Sequence, residues 1–192
     1  MVVMPDVTKL DAFLRNILSA LDGAGIAHML TGSLASSMWG IPRATNDIDF
    51  VINPIREELF TLARLFHNAN LYFPRERIDE AFDNRSDLNV IDFSNGWKAD
   101  LILRKDREFS VTEFRRREKT TVEGMHLHIA TPEDVIIAKL EWWTISPSER
   151  QINDVIGILQ VQRENLDIAY VEHWVDLLGL AEPWHDARKR AG

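Results

Sequence analysis

The chain has 192 residues, 45% hydrophobic and 27% charged, the balance of a globular protein forming one domain or one domain with a small helical appendage. It has no cysteine, which excludes disulfides, thiolate metal sites and cysteine nucleophiles together. A formal net charge of −8 argues against nucleic-acid binding driven by overall charge.

Met1 to Asp6 lacks a basic region ahead of a long apolar run, so no signal peptide is expected. No apolar run reaches membrane-spanning length, and the expected location is the cytoplasm.

In chain order, Leu10, Phe13, Leu14, Ile17, Leu18 and Leu21 recur at three- and four-residue spacing and predict a helix over about 7–22. Gly23 and Gly25 end it. Ile26 to Leu30 reads as a short buried strand, followed by Thr31, Gly32 and Ser33 and a short helix over about 34–39 that Gly40 and Pro42 stop. Asp47 to Ile52 is the next strand, and Pro54 is expected to start a third helix with Leu59, Leu62, Ala63, Leu65 and Phe66 as its apolar stripe.

Residues 70–87 are polar and carry no clear pattern. Leu88 to Phe93 and Trp97 to Leu103 read as a hairpin across Ser94, Asn95 and Gly96. A helix is expected over about 110–118 and a strand from Met125 to Ile129. Thr131, Pro132, Glu133 and Asp134 form a helix start: a threonine cap, proline at the first position and acids in the first turn. Helices follow at about 132–144, 148–162 and 167–179, with a frayed, charged tail. The expected division is an α/β part over 1–130 and a helical part over 131–192.

The chemistry concentrates in residues 31–50. A strand-turn-helix at Gly32 and Ser33 exposes backbone N–H groups at a helix N-terminus, glycine permits close approach of a phosphate, and the serine hydroxyl adds a donor. Alone, such a pair is more often a plain turn and cap. Asp47 and Asp49 alternate along a strand and so point the same way, with Ile48 and Phe50 turned to the core. Two carboxylates side by side repel by roughly 4 kcal/mol at about 4 Å and an effective dielectric near 20. A hard divalent cation such as Mg²⁺ relieves that repulsion and takes carboxylates together with substrate phosphate. Asp100, ahead of the apolar Leu101 to Leu103, is a candidate third acid for a site that activates an attacking hydroxyl. Asp92 is its rival, but its place just before a turn suits a turn-flanking role.

Gly32-Ser33, a Gly-x-x-Arg at Gly40 to Arg43, and Thr-x-Asp-Ile-Asp at Thr45 to Asp49 together resemble the nucleotidyltransferase (polymerase beta-like) superfamily. The resemblance is nearest to minimal and abortive-infection-type bacterial nucleotidyltransferases, which include toxin–antitoxin components. Thr131 to Leu140 and Arg150 to Asp154 are similar to the helical region after the catalytic part in that group. The likeness implies an α/β (α+β) nucleotidyltransferase fold: a small mixed sheet flanked by helices, then a C-terminal helical extension. It implies Gly32 and Ser33 at the nucleoside triphosphate, with ATP expected, Asp47 and Asp49 on Mg²⁺, and Asp100 as third carboxylate and metal ligand. It puts Lys139 and Asp154 where related proteins carry polar residues facing the cleft. Lys139 reads equally as a nucleotide-binding residue or, more plainly, as a helix-surface lysine or one paired with an acid such as Asp154. Arg43 reads equally as a substrate contact or a brace for the acidic cluster. The acceptor hydroxyl, on RNA, protein or a small molecule, is left open, as is an antitoxin partner.

Other features have plainer readings. Arg115, Arg116 and Arg117, with Lys119 behind and Arg104, Lys105 and Arg107 upstream, form a solvated helix face or a contact for phosphate or an RNA backbone. His126 and His128 alternate on a strand without an evident third ligand. Trp142, Trp143, Trp174 and Trp184 are expected to pack the helical part, an exposed one being able to stack a base or anchor a partner.

Overall fold

A computed structural model describes residues 7–192, with side chains from Leu10 onward. The described chain forms two compact units, one of residues 7–30 and 44–129 and the other of residues 31–43 and 130–192.

The first unit is built on a six-stranded mixed sheet of order β3-β4-β2-β1-β6-β5. Its strands are β1 (Ala27–Thr31), β2 (Asp47–Asn53), β3 (Asp87–Asp92), β4 (Trp97–Leu103), β5 (Glu118–Val122) and β6 (Met125–Ile129). Strands β2 and β4 pair in parallel, as do β1 and β6, while β3–β4 and β5–β6 are antiparallel hairpins. Helices α1 (Val7–Gly23), α3 (Arg56–Asn68), α4 (Ile78–Asn84) and α5 (Glu108–Arg116) complete the unit, with α1 against α3 and β4. Alternation along the strands sends Ile48, Phe50, Ile52, Leu88, Val90, Ala99, Leu101 and Leu103 into a core from which solvent is wholly excluded.

Three local outcomes differ from the sequence pattern. Helix α3 begins after Pro54, with Ile55 as its cap, because the Glu58 carboxylate accepts from the Ile55 backbone N–H at 2.8 Å. The uncertain stretch 70–87 contains α4, whose end is marked by Arg85 in the left-handed region (φ +48). Strand β5 carries no apolar alternation and lies at the sheet edge. A two-residue turn with positive φ at Glu123 (+48) and Gly124 (+74), matched to strand twist, joins it to β6.

The second unit comprises α2 (Gly32–Trp39), α6 (Pro132–Ile145), α7 (Glu149–Gln162), α8 (Ile168–Leu178) and α9 (Ala181–Ala191). Helix α6 is buried along most of its first nine residues, including Glu133, Asp134 and Lys139, and packs against α2, α7 and α8. Its start is fixed as the cap signal implies. Thr131 Oγ1 accepts from the Asp134 N–H at 3.3 Å and donates to the Asp134 carboxylate at 2.8 Å, and the Tyr170 hydroxyl donates to the same carboxylate at 2.6 Å. The expected frayed tail is instead α9, since Pro183, Trp184 and Ala187 form an apolar stripe and Arg190 pairs with Glu149 at 2.9 Å.

Helix α2 is bound into this unit through its C-terminal end. The Trp39 indole N–H donates to the Ala130 carbonyl at 2.8 Å, and the Gln162 amide donates to the Trp39 carbonyl at 2.6 Å. Gly40 then passes so close to α7 that a Cβ there would lie 2.7 Å from the Ile158 nitrogen and 2.8 Å from the Gly157 carbonyl carbon. Gly40 is therefore required by backbone contact as well as by helix termination. Gly40→Ala is expected to cost roughly 2 kcal/mol through forced separation of the two backbones. A thermal melt checks this: an unchanged midpoint would show that the approach is not needed.

Candidate active site

The register between β2 and β4 pairs Asp47 with Lys98 and Asp49 with Asp100. Across the hairpin, Asn89 pairs with Asp100. Directly paired residues share a face of a sheet, so Asp47, Asp49, Lys98, Asp100 and Asn89 stand together opposite the apolar core. Asp47 is exposed, while Asp49 and Asp100 are half-buried.

Lys98 holds Asp100 at both carboxylate oxygens, at 2.9 Å and 3.0 Å, and the Asn89 amide donates to the same group. The hydrogen bond to Asp100 raises the Lys98 pKa above its ordinary value, against the effect of burial, and the charges of Asp100, Asp47 and Asp49 add to the rise. Lys98 and Asn89 are site residues that reading along the sequence missed. The signal was present for Lys98: two positions before Asp100 on a strand, it must lie on the same face. Asp92 takes the turn-flanking role, accepting from the Ser94 backbone N–H at 2.9 Å and the Asn95 amide at 2.7 Å.

A second polar cluster lies within the helical unit. Gly32 opens α2 with a positive φ of +64, a conformation suited to glycine, and Ser33 follows in the first turn. The Arg43 guanidinium spans two partners, donating to Ser33 Oγ at 2.6 Å and to Asp154 at 2.7 Å and 3.0 Å. The Lys139 ammonium lies 2.8 Å from Asp154 and 3.4 Å from Ser33 Oγ. Lys139 and Arg43 both pair with Asp154 on α7. Burial works to raise the Asp154 pKa, but the hydrogen bonds and charges of Arg43 and Lys139 outweigh it and hold the carboxyl below its usual range.

Trp174 and Trp184 pack in the helical unit, whereas Trp142 is half exposed. Arg117 is not part of a fully solvated face: its guanidinium lies 4.2 Å over the Phe114 ring, and burial lowers its pKa. His126 bonds Thr121 at 3.1 Å, and burial with the neighbouring positive charges lowers the His128 pKa.

The donor chemistry of Asp47, Asp49 and Asp100 is all oxygen and fits a hard divalent cation. Among the described residues, no three His, Asp or Glu side chains are gathered as a ready metal group. Within this set, Asp100 is engaged by Lys98 and Asn89.

Replacing Asp154 by Asn leaves Arg43 and Lys139 around a neutral side chain, and we expect a loss of roughly 3 kcal/mol at neutral pH. The folded pKa is depressed, so the contribution is complete above the unfolded value near 3.8 and lost as pH falls through the folded value. Denaturant melts from pH 7 to 3 should show the gap between wild type and Asp154→Asn closing; a constant gap would contradict the charge argument.

No protein-family model matches the chain, and no curated protein matches it by sequence. Solved structures do. The solution structure of the antibiotic-resistance factor ANT(2'')-Ia aligns over 96% of this chain and 99% of its own, with TM-score 0.62 and 11% identity. The crystal structure of ANT(2'')-Ia with adenylyl-2''-tobramycin covers 94% of this chain and 98% of its own, with TM-score 0.57 and 15% identity. Lincomycin-bound LnuA, a lincosamide antibiotic adenylyltransferase, covers 77% and 95%, with TM-score 0.53 and 10% identity. At such identities the likeness is one of fold: a mixed sheet with C-terminal helices, as in nucleotidyltransferases.

Proposed function

We propose that the protein is a Mg²⁺-dependent nucleotidyltransferase. It moves a nucleoside monophosphate from a nucleoside triphosphate, ATP in the first instance, to a hydroxyl acceptor. The observation that carries this reading is the carboxylate face of β2 and β4, with Asp49 registered on Asp100, in a chain whose fold is that of nucleotidyltransferases. No helix among the described residues is long and apolar enough to cross a membrane.

Asp47 and Asp49 would hold the cation, with Asp100 as a third ligand once Lys98 releases it. When bound, the cation neutralises phosphate charge and favours in-line displacement. Gly32 and Ser33 at the start of α2 would bind triphosphate oxygens through backbone N–H and hydroxyl donors, with Arg43 and Lys139 supplying positive charge. The acceptor oxygen attacks the α-phosphorus and forms the new P–O bond. The bond to the β-phosphate oxygen breaks, pyrophosphate leaves, and Asp100 orients the acceptor hydroxyl or takes its proton.

A second reading is a nucleotide-binding module, or a toxin–antitoxin component acting through its partner. It is favoured by one observation, the double engagement of Asp100 by Lys98 and Asn89. Incubation with labelled nucleoside triphosphates, Mg²⁺ and RNA, protein or small-molecule acceptors separates the two. Label transfer and pyrophosphate release should fall by about a hundredfold or more in the Asp47→Ala, Asp49→Ala double variant. Transfer that survives the double change would remove the proposed role of the pair. Nucleotide binding with no transfer to any acceptor class would favour the second reading.

A further inference from the structure

The lysine on the carboxylate face enters the reaction set out above only by releasing Asp100, and its placement gives it a further part. Lys98 is registered beside Asp47 and engages both oxygens of Asp100. Adjacent strands lie about 4.8 Å apart, so one ammonium is held among three carboxylates on one face of the sheet. Its raised pKa, produced first by the Asp100 hydrogen bond and then by the charges of Asp100, Asp47 and Asp49, is the electrostatic mark of that position. An ammonium there does what a divalent cation would do: it offsets repulsion among the acids. Both seek the oxygens of Asp100, which cannot serve each in full.

We propose that Lys98 is an internal counter-ion that competes with the divalent cation for Asp100, lowering metal affinity in the free protein and gating formation of the three-carboxylate site. The proposal rests on the reading of Asp47 and Asp49 as metal ligands. Asp100 joins the cation only when the ammonium gives it up. Asn89, a second donor to Asp100, would keep that carboxylate at the face when Lys98 is replaced. Lys98 acts through Asp100 and is a positioning residue. Its charge is the active property, so arginine should replace it and an uncharged side chain of similar length should not.

The test is a Mn²⁺ titration, followed by the electron paramagnetic resonance signal of the free ion, on the full chain without nucleotide. Lys98→Met is expected to bind Mn²⁺ about tenfold more tightly than wild type, because a like charge beside the ion has been removed. Lys98→Arg should remain within about twofold of wild type. Adding Asp100→Asn to Lys98→Met should cancel the gain, a coupling that a general change in surface charge would not give. Circular dichroism melts establish that each variant is folded. Binding by Lys98→Met that is no tighter than wild type, while Asp47→Asn with Asp49→Asn still abolishes binding, would overturn the counter-ion role and leave the metal pair standing. Binding untouched by loss of Asp47 and Asp49 would instead overturn the metal reading and this proposal with it.

Discussion

The in-register parallel pairing of β2 and β4 is the constraint on which the candidate site depends. It aligns Asp49 with Asp100, and it aligns Ile48, Phe50 and Ile52 with Ala99, Leu101 and Leu103 on the other face. Burying a large apolar side chain is worth about 1.5–3 kcal/mol, so several such residues outweigh the few kcal/mol of repulsion among the acids. A one-residue slip would turn the acids of β2 inward and bring Ile48 and Phe50 out. The core thus enforces a concentration of charge that no local preference of the polar residues would produce.

The helical unit applies a different rule to its polar residues. Asp154 is buried, and so is Lys139; Arg43 completes the set from the segment after α2. A buried ion cluster of this kind contributes little net stability, but loss of one member is costly. Its effect is to fix geometry: Arg43 and Lys139 are held by one carboxylate, and both donate to the Ser33 hydroxyl. The bidentate contact of Arg43 with Asp154 keeps the guanidinium from wandering.

Much of the first unit was legible in the sequence because its strands have strong alternation and its turns carry glycine. The β3–β4 hairpin and the position of Asp100 beside β2 follow from such patterns. Strand β5 was not legible: Glu118 to Thr121 are polar, and their pairing depends on β6 rather than on their own burial. Helix α9 was hidden by the charges of Arg188, Lys189 and Arg190, although its stripe of Pro183, Trp184 and Ala187 is short but regular. At the site, the acids were visible as a motif. Their partner Asn89 was harder to see, since it meets Asp100 only across the β3–β4 hairpin. Gly40 was legible as a helix stop, but its closeness to α7 could be seen only in three dimensions.

Helix α2 has a further consequence. It lies in the chain between β1 and β2, yet belongs to the unit completed by residues 130–192. During synthesis it emerges long before α6 and α7, so its contacts with Ala130 and Gln162, 91 and 123 residues after Trp39, form only later. The helical unit cannot assemble from the C-terminal segment alone, and the sheet is built from a chain whose early excursion is still without its partners. Folding of the two units is therefore interleaved by topology, and a ribosome-bound nascent chain would hold α2 as an exposed, provisional element until late in translation.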